Sequence, residues 1–259
     1  MNTFHLFFSN YIANTTEITV LSASILCLVS FIGSFISAAV GLGGGSLVLA
    51  TMALLLPPIV LLPLHGAVQL GSNLGRTILM MEYILFPVII PFTLGAALGV
   101  LIGGQLFIVL PIEILQSILA IFILYSSWSR KFAANLPTKF TYVGVGLLSS
   151  FLTMFVGATG PLIAPFVANS SKIRQQVVST HAILMSIQHS LKLIAFGFLG
   201  VSIGPYIGIL IVMISFGFLG TYLGRFLLNR LPEAIFRISL KCIITILALR
   251  LLFKAATGV

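Results

Sequence analysis

His65, Gln69, Ser72 and Arg76 are four polar residues in an otherwise apolar stretch, at offsets of 0, 4, 7 and 11. At about 100° per residue they share one stripe of a helix, with Asn73 at its edge. A second stretch repeats the pattern with His181, Gln188, His189 and Lys192, interrupted only by Met185. A guanidinium, an ammonium and a set of amide and hydroxyl donors can hold a small oxyanion through charge-assisted hydrogen bonds. The chain has no Asp, and its four Glu, at 17, 82, 113 and 233, all fall near the ends of apolar segments. No embedded carboxylate is placed to neutralise Arg76 or Lys192, so the expected counter-ion is a ligand. A cation near the centre of a membrane helix costs at least about 2.5 to 3.5 kcal/mol, which argues for a task. The bland alternative is snorkelling to an interface, which suits side chains near segment ends better than these two. His65 and His181 have two readings: packing or a hydrogen bond to a backbone carbonyl, or binding and proton relay.

Two glycine-rich interruptions precede these stripes: Gly41-Leu42-Gly43-Gly44-Gly45-Ser46 and Gly157-Ala158-Thr159-Gly160-Pro161. Both read as helix starts, with Ser46 and Thr159 as expected caps and Pro161 suited to the first helical position. N–H groups at such starts, together with the positive end of the helix dipole, form an anion site. Close helix packing is the competing explanation for the glycines, and it is the one adopted for Gly95, Gly99 and Gly103 and for Gly220 and Gly224.

The elements that must carry these residues are membrane helices. Of 259 residues, 59% are hydrophobic and 7% charged, far from the roughly one-quarter charged of a soluble domain. Soluble enzymes, disordered tails and disulfide scaffolds are excluded. Cys27 and Cys242 each lie in apolar runs and read as small hydrophobes, with no metal or redox role. The net charge of +9 is not a nucleic-acid signal, because the cations sit between apolar runs rather than in a basic block.

Ten segments are expected, at about 18–40, 46–62, 64–82, 85–108, 111–128, 140–157, 161–169, 177–199, 203–228 and 233–254. The second and seventh are short and read as half-helices. The first 17 residues carry no Lys or Arg and lack the cationic region of a cleaved signal peptide, so the first span is expected to stay. If all ten cross, or if segments one-two and six-seven form re-entrant hairpins, Arg130, Lys131, Lys139, Lys172, Arg174, Arg225, Arg230 and Arg237 share one face. That face is expected to be cytoplasmic, with both termini outside.

At an offset of 116, Phe35, Val40, Gly41 and Gly44 align with Phe151, Val156, Gly157 and Gly160, His65 with His181, and Arg76 with Lys192. After a five-residue insertion, Gly99, Gly103 and Leu110-Pro111 align with Gly220, Gly224 and Leu231-Pro232. The expected organisation is an outside segment 1–17, a first membrane repeat 18–128, a basic cytoplasmic linker 129–139 and a second repeat 140–259. Each repeat holds an odd number of crossings, five or three, so the second copy must run upside down. The expected fold class is an all-α polytopic membrane protein of two inverted repeats, with a site near the midplane built on broken helices.

The chain resembles the TauE/SafE family of sulfite and organosulfonate transporters, also called the toluene sulfonate uptake permease family. The resemblance covers nearly the whole chain. It rests on Val40-Gly41-Leu42-Gly43-Gly44-Gly45 followed by Pro57-Pro58, on Pro63-Leu64-His65-Gly66-Ala67-Val68-Gln69-Leu70-Gly71-Ser72-Asn73, and on Ser179-Thr180-His181 through Gln188-His189. Two departures stand out: the second glycine run is reduced to Gly-Ala-Thr-Gly-Pro, and histidines 65 and 181 stand where many family members carry small hydroxyl residues. Histidines suit a proton-coupled or pH-sensitive variant, or one selecting a protonatable anion such as sulfite.

The expected function is therefore secondary transport of a small sulfur-containing anion by alternating access across a bacterial cytoplasmic membrane. The substrate-binding set is Gly43, Gly44, Gly45, Ser46, His65, Gln69, Ser72, Asn73, Arg76, Thr159, Gly160, His181, Gln188, His189 and Lys192, with no metal, cofactor or catalytic residue. Moving one negative charge outward gains about 2.3 kcal/mol per 100 mV of inside-negative potential, so export needs no added coupling. Rival readings are an anion-selective channel, proton-coupled uptake, and, least supported, an intramembrane enzyme. The expected partners are the anion and the bilayer. The Gly-xxx-Gly stripes serve either internal packing or a homodimer seam.

Overall fold

The computed structural model describes residues 18–40, 43–107, 112–128, 138–201, 203–228, 242, 244–249 and 252–253. The expected outside segment 1–17, most of the basic linker, residues Gly41 and Leu42, and much of the tenth segment lie outside the described residues. So do the cations Arg130, Lys131, Arg230, Arg237 and Lys254.

Every described element is helical. In chain order they are α1 (Val20–Val40), α2 (Gly44–Leu55), α3 (Pro58–Leu79), α4 (Ile89–Phe107), α5 (Ile112–Trp128), α6 (Lys139–Val156), α7 (Gly160–Ser170), α8 (Arg174–Phe198) and α9 (Ile207–Arg225). Short 3₁₀ turns carrying Pro87 and Pro205 lead into α4 and α9. Helix α3 starts at Pro58 rather than at the expected 64. The tandem Pro57-Pro58 ends α2 and opens α3, with Pro58 at the start where its missing N–H costs nothing. Pro63 is accommodated inside the helix.

Four of these segments are long and apolar enough to cross a membrane: Val20–Val40, Phe86–Phe107, Lys139–Val156 and Gly204–Arg225. On the outward faces of α4 and α9, residues such as Leu94, Leu98, Leu101, Ile211, Phe216 and Leu219 are exposed. Apolar surface of this extent belongs against lipid, and the chain is a multi-pass membrane protein. Helices α2 and α7, 12 and 11 residues long, extend only about 18 and 16 Å at 1.5 Å per residue, short of the hydrocarbon core. Helices α3 and α8 are long but polar, and they lie inside the bundle with their polar stripes buried.

Packing joins the two halves of the chain. Helix α1 lies along α9, α4 along α6, and α3 against α8. Glycines decide how close these pairs come. A Cβ on Gly95 would strike the Val143 carbonyl, and one on Gly99 the Leu147 carbonyl; Gly220 and Gly224 bear the same relation to the carbonyls of Phe31 and Phe35. The stripes thus serve internal helix packing. Across the α1–α9 seam Ser30 also donates from Oγ to the Met213 carbonyl at 2.7 Å. Helix α6 begins with a capping box in which Thr138 and Thr141 satisfy each other's backbone N–H.

Candidate functional site

Both glycine-rich interruptions are observed as helix starts, but they are not built as expected. Gly43 caps α2 with φ 98°, a left-handed conformation that L side chains rarely adopt, and no side-chain cap is present. Ser46 is therefore not a cap; it lies within the first turn. Thr159 occupies the cap position of α7, but its hydroxyl donates to Gln188 Oε1 at 2.9 Å instead of accepting from the helix. The break before α7 turns at Gly157, φ 79°, where an added Cβ would meet Leu49 and Leu62 and approach His65 Nδ1.

The two starts offer different numbers of donors. The first N–H groups of α2, at Gly44, Gly45 and Ser46, have no carbonyl partner within their own helix. At α7, Pro161 has no N–H and Leu162 donates to the Thr159 carbonyl at 2.9 Å, leaving Gly160 as the open donor. The expected pair of equivalent anion cradles is thus one rich start and one poor one. The reason is the Gly-Pro sequence of the second break.

Between these starts lies a cavity of about 40 Å³. Of the expected set, Gly43, Gly45, Ser46, His65, Gln69, Asn73, Arg76, Gly160, His181 and His189 line it. Ser37, Ala158, Pro161 and Met185 complete the lining. Gly44, Ser72, Thr159, Gln188 and Lys192 do not reach it. Gly44 packs its missing side chain against the Gly33 carbonyl of α1. Ser72 is buried with its hydroxyl unpartnered. Gln188 accepts from Thr159 and donates to Ser149 and Ser150, both at 3.1 Å, fastening α7 to α6 and α8. Lys192 is fully buried, its Nζ unpartnered and 5.6 Å from the Phe196 ring centre.

Arg76 is 2% exposed on the last turn of α3. It donates from Nη1 to Asn73 Oδ1 at 3.4 Å, a long bond, and among the described residues its Nε has no partner. Asn73 in turn donates to the Gln69 carbonyl at 2.8 Å, which fixes its amide so that the oxygen faces the guanidinium. Glu82, a described acidic side chain, is exposed on a 3₁₀ turn and makes no ion pair with either buried cation.

The histidines hold the starts to the long helices. His65 Nε2 lies 3.1 Å from the Gly45 carbonyl and 3.3 Å from Gln69 Nε2. One nitrogen cannot serve both: protonated, it donates to the carbonyl; unprotonated, it accepts from the amide. His181 Nε2 lies 3.1 Å from the Gly160 carbonyl, repeating the first contact in the other half. The rings of His65 and His189 meet edge to face with centres 6.1 Å apart, and neither His189 nitrogen has a partner.

Three serines join the site that its motifs do not announce: Ser37, Ser149 and Ser150. Ser37 follows Ser30 and Ser34 at helical spacing, and all three are buried; that stripe on α1 was a legible signal. Ser149 and Ser150 are tied to Gln188 only by tertiary packing.

This arrangement can hold a compact anion: a guanidinium with no ion pair among the described residues, a donor-rich helix start and orphaned imidazole nitrogens converge on one small space. Neither the curated proteins nor the solved structures compared with this chain give a match. The family model described as sulfite exporter TauE/SafE matches residues 26–251, most of the chain, and the protein belongs to that family.

Proposed function

We propose that the protein is a secondary transporter that exports a small sulfur-containing anion, sulfite or an organosulfonate, by alternating access between two repeats of opposite orientation. The observation that carries this reading is Arg76, buried at the cavity with an unpartnered Nε. A buried cation left without its counter-charge is expensive, and an oxyanion in the cavity supplies that charge. The N–H groups of α2 and the hydroxyl of Ser46 supply further donors. Lys192, one turn beyond His189, adds positive potential from behind the imidazole pair.

Membership in the family supports sulfite- or sulfonate-type anion transport. The exchanged pairing of α1 with α9 and α4 with α6 supports a two-fold relation between the halves. The basic residues Lys139, Lys172, Arg174 and Arg225 would face the cytoplasm, with both termini outside, in the bacterial cytoplasmic membrane.

Counterflow in proteoliposomes tests the proposal. Purified protein loaded with unlabelled sulfite should draw in labelled sulfite saturably, and Arg76→Ala and Lys192→Ala should each abolish the overshoot. Unchanged counterflow in both variants would remove the site. Ohmic single-molecule current in place of counterflow would convert the transporter into an anion-selective channel with the same lining.

A further inference from the structure

We infer that Met185 sets the size limit of the anion, so that the cavity takes a bare oxyanion such as sulfite and excludes sulfonates bearing an organic arm. The inference rests on the anion-site reading above and concerns which members of that substrate class fit.

The two halves present different walls. Both halves bring imidazoles to the lining, His65 from the first and His181 and His189 from the second, but the other side chains differ: Ser46, Asn73 and Arg76 come from the first half, Ala158, Pro161 and Met185 from the second. An anion's oxygens therefore belong toward Arg76 and the donor-rich helix start, within reach of the imidazoles. Whatever is attached to the sulfur then points at the apolar part of the lining, where Met185 is the longest side chain.

On α8 Met185 stands one turn after His181 and one turn before His189, the single apolar break in that stripe. Its repeat counterpart, Gln69, is an amide in contact with His65. The Met185 side chain is buried, and its Sδ lies over the start of α7, 3.8 Å from where a Cβ on Gly160 would sit. Met185 belongs to the same buried apolar cluster as Leu184 and Phe92.

A space of about 40 Å³, at about 10–15 Å³ per water, holds roughly three waters. One sulfur and three oxygens take up that room. A two-carbon arm adds two heavy atoms beyond that room, and on the apolar part of the lining the long side chain it meets is Met185. An unbranched side chain also offers the easiest route to enlargement by mutation, since shortening it requires no backbone shift.

The test compares dissociation constants of purified protein for sulfite, methanesulfonate and ethanesulfonate by isothermal titration, with Met185→Ala, Met185→Val and Met185→Leu. Wild type should bind sulfite at least tenfold more tightly than ethanesulfonate. Met185→Ala should narrow that ratio by about tenfold, the scale of two methylenes gaining burial. Met185→Val should narrow it less, and Met185→Leu, of similar volume, should preserve it. The Val variant keeps the test decisive if the Ala variant does not yield folded protein. Sulfite binding with a ratio unchanged in the Ala and Val variants overturns the inference while leaving the anion site intact. Wild type that binds ethanesulfonate as tightly as sulfite overturns it too. Failure of wild type to bind any of the three overturns both.

Discussion

Replacing Arg76 with Met should have opposite effects on the empty and the occupied protein. In the empty protein the guanidinium is 2% exposed, holds one hydrogen bond of 3.4 Å and leaves Nε unpartnered. Exchanging a poorly compensated buried charge for an apolar side chain of similar reach is commonly neutral or stabilising by about 1–4 kcal/mol. The apparent Tm of ligand-free Arg76→Met should therefore hold or rise. With sulfite bound, the lost charge-assisted contacts are worth about 2–3 kcal/mol, which raises Kd about 30- to 150-fold. At a concentration of 100 Kd for wild type, ligand stabilises by about 2.7 kcal/mol; in the variant the same concentration leaves about 0.3–0.9 kcal/mol. The assay is thermal unfolding of purified protein in detergent over a sulfite titration, with chloride as the ionic-strength control. A variant that retains the full ligand shift would refute the role of Arg76. A ligand-free Tm several degrees below wild type would refute the claim that the guanidinium is held uncompensated for a ligand.

Further expectations follow from local geometry. Gly99→Val and Gly220→Val place a side chain against a carbonyl of the neighbouring helix; each should cost at least about 1–3 kcal/mol, read as lower apparent Tm and folded yield. Gly144→Ala, with nothing within 4 Å of its added Cβ, should be neutral or stabilise by about 0.5–1 kcal/mol and serves as their control. Gln188→Ala strands the hydroxyls of Thr159, Ser149 and Ser150 and should lower stability by about 1–3 kcal/mol; an unchanged Tm would show that the network does not hold α7 in place. Lys172→Cys, exposed between α7 and α8, should react with an impermeant maleimide only from the cytoplasmic side, and labelling of intact cells from outside would reverse the proposed orientation.

What the sequence revealed depended on how local the governing interaction is. The polar stripes on α3 and α8 were legible because 3.6-residue periodicity alone places His65, Gln69 and Arg76 on one face. The half-helices were legible because glycine and proline punctuate the chain. The caps are not legible in the same way: a hydroxyl near a helix start suggests a cap, yet Gly43 in a left-handed conformation opens α2, and Thr159 turns to Gln188 29 residues away. The start of α3 lies earlier than apolar content suggests, because that content does not reveal that Pro57-Pro58 can end one helix and open the next. Which stripe residues face the cavity and which face neighbouring helices was not readable either. Ser72 and Arg76 share a stripe, but the choice between them is made by what packs against α3.

The glycine seams have a consequence for how the protein is made. The two most extensively packed seams, α1–α9 and α4–α6, are both closed by glycines, and each joins a helix of the first half to one of the second. When the first half leaves the ribosome, the glycine faces of α4 and the facing groove of α1 have no partner, and α9 arrives last among these helices. The halves therefore cannot mature in sequence as separate units. A chain cut between them should yield a stable protein only when both fragments are produced together, and the first fragment alone should be cleared by membrane quality control.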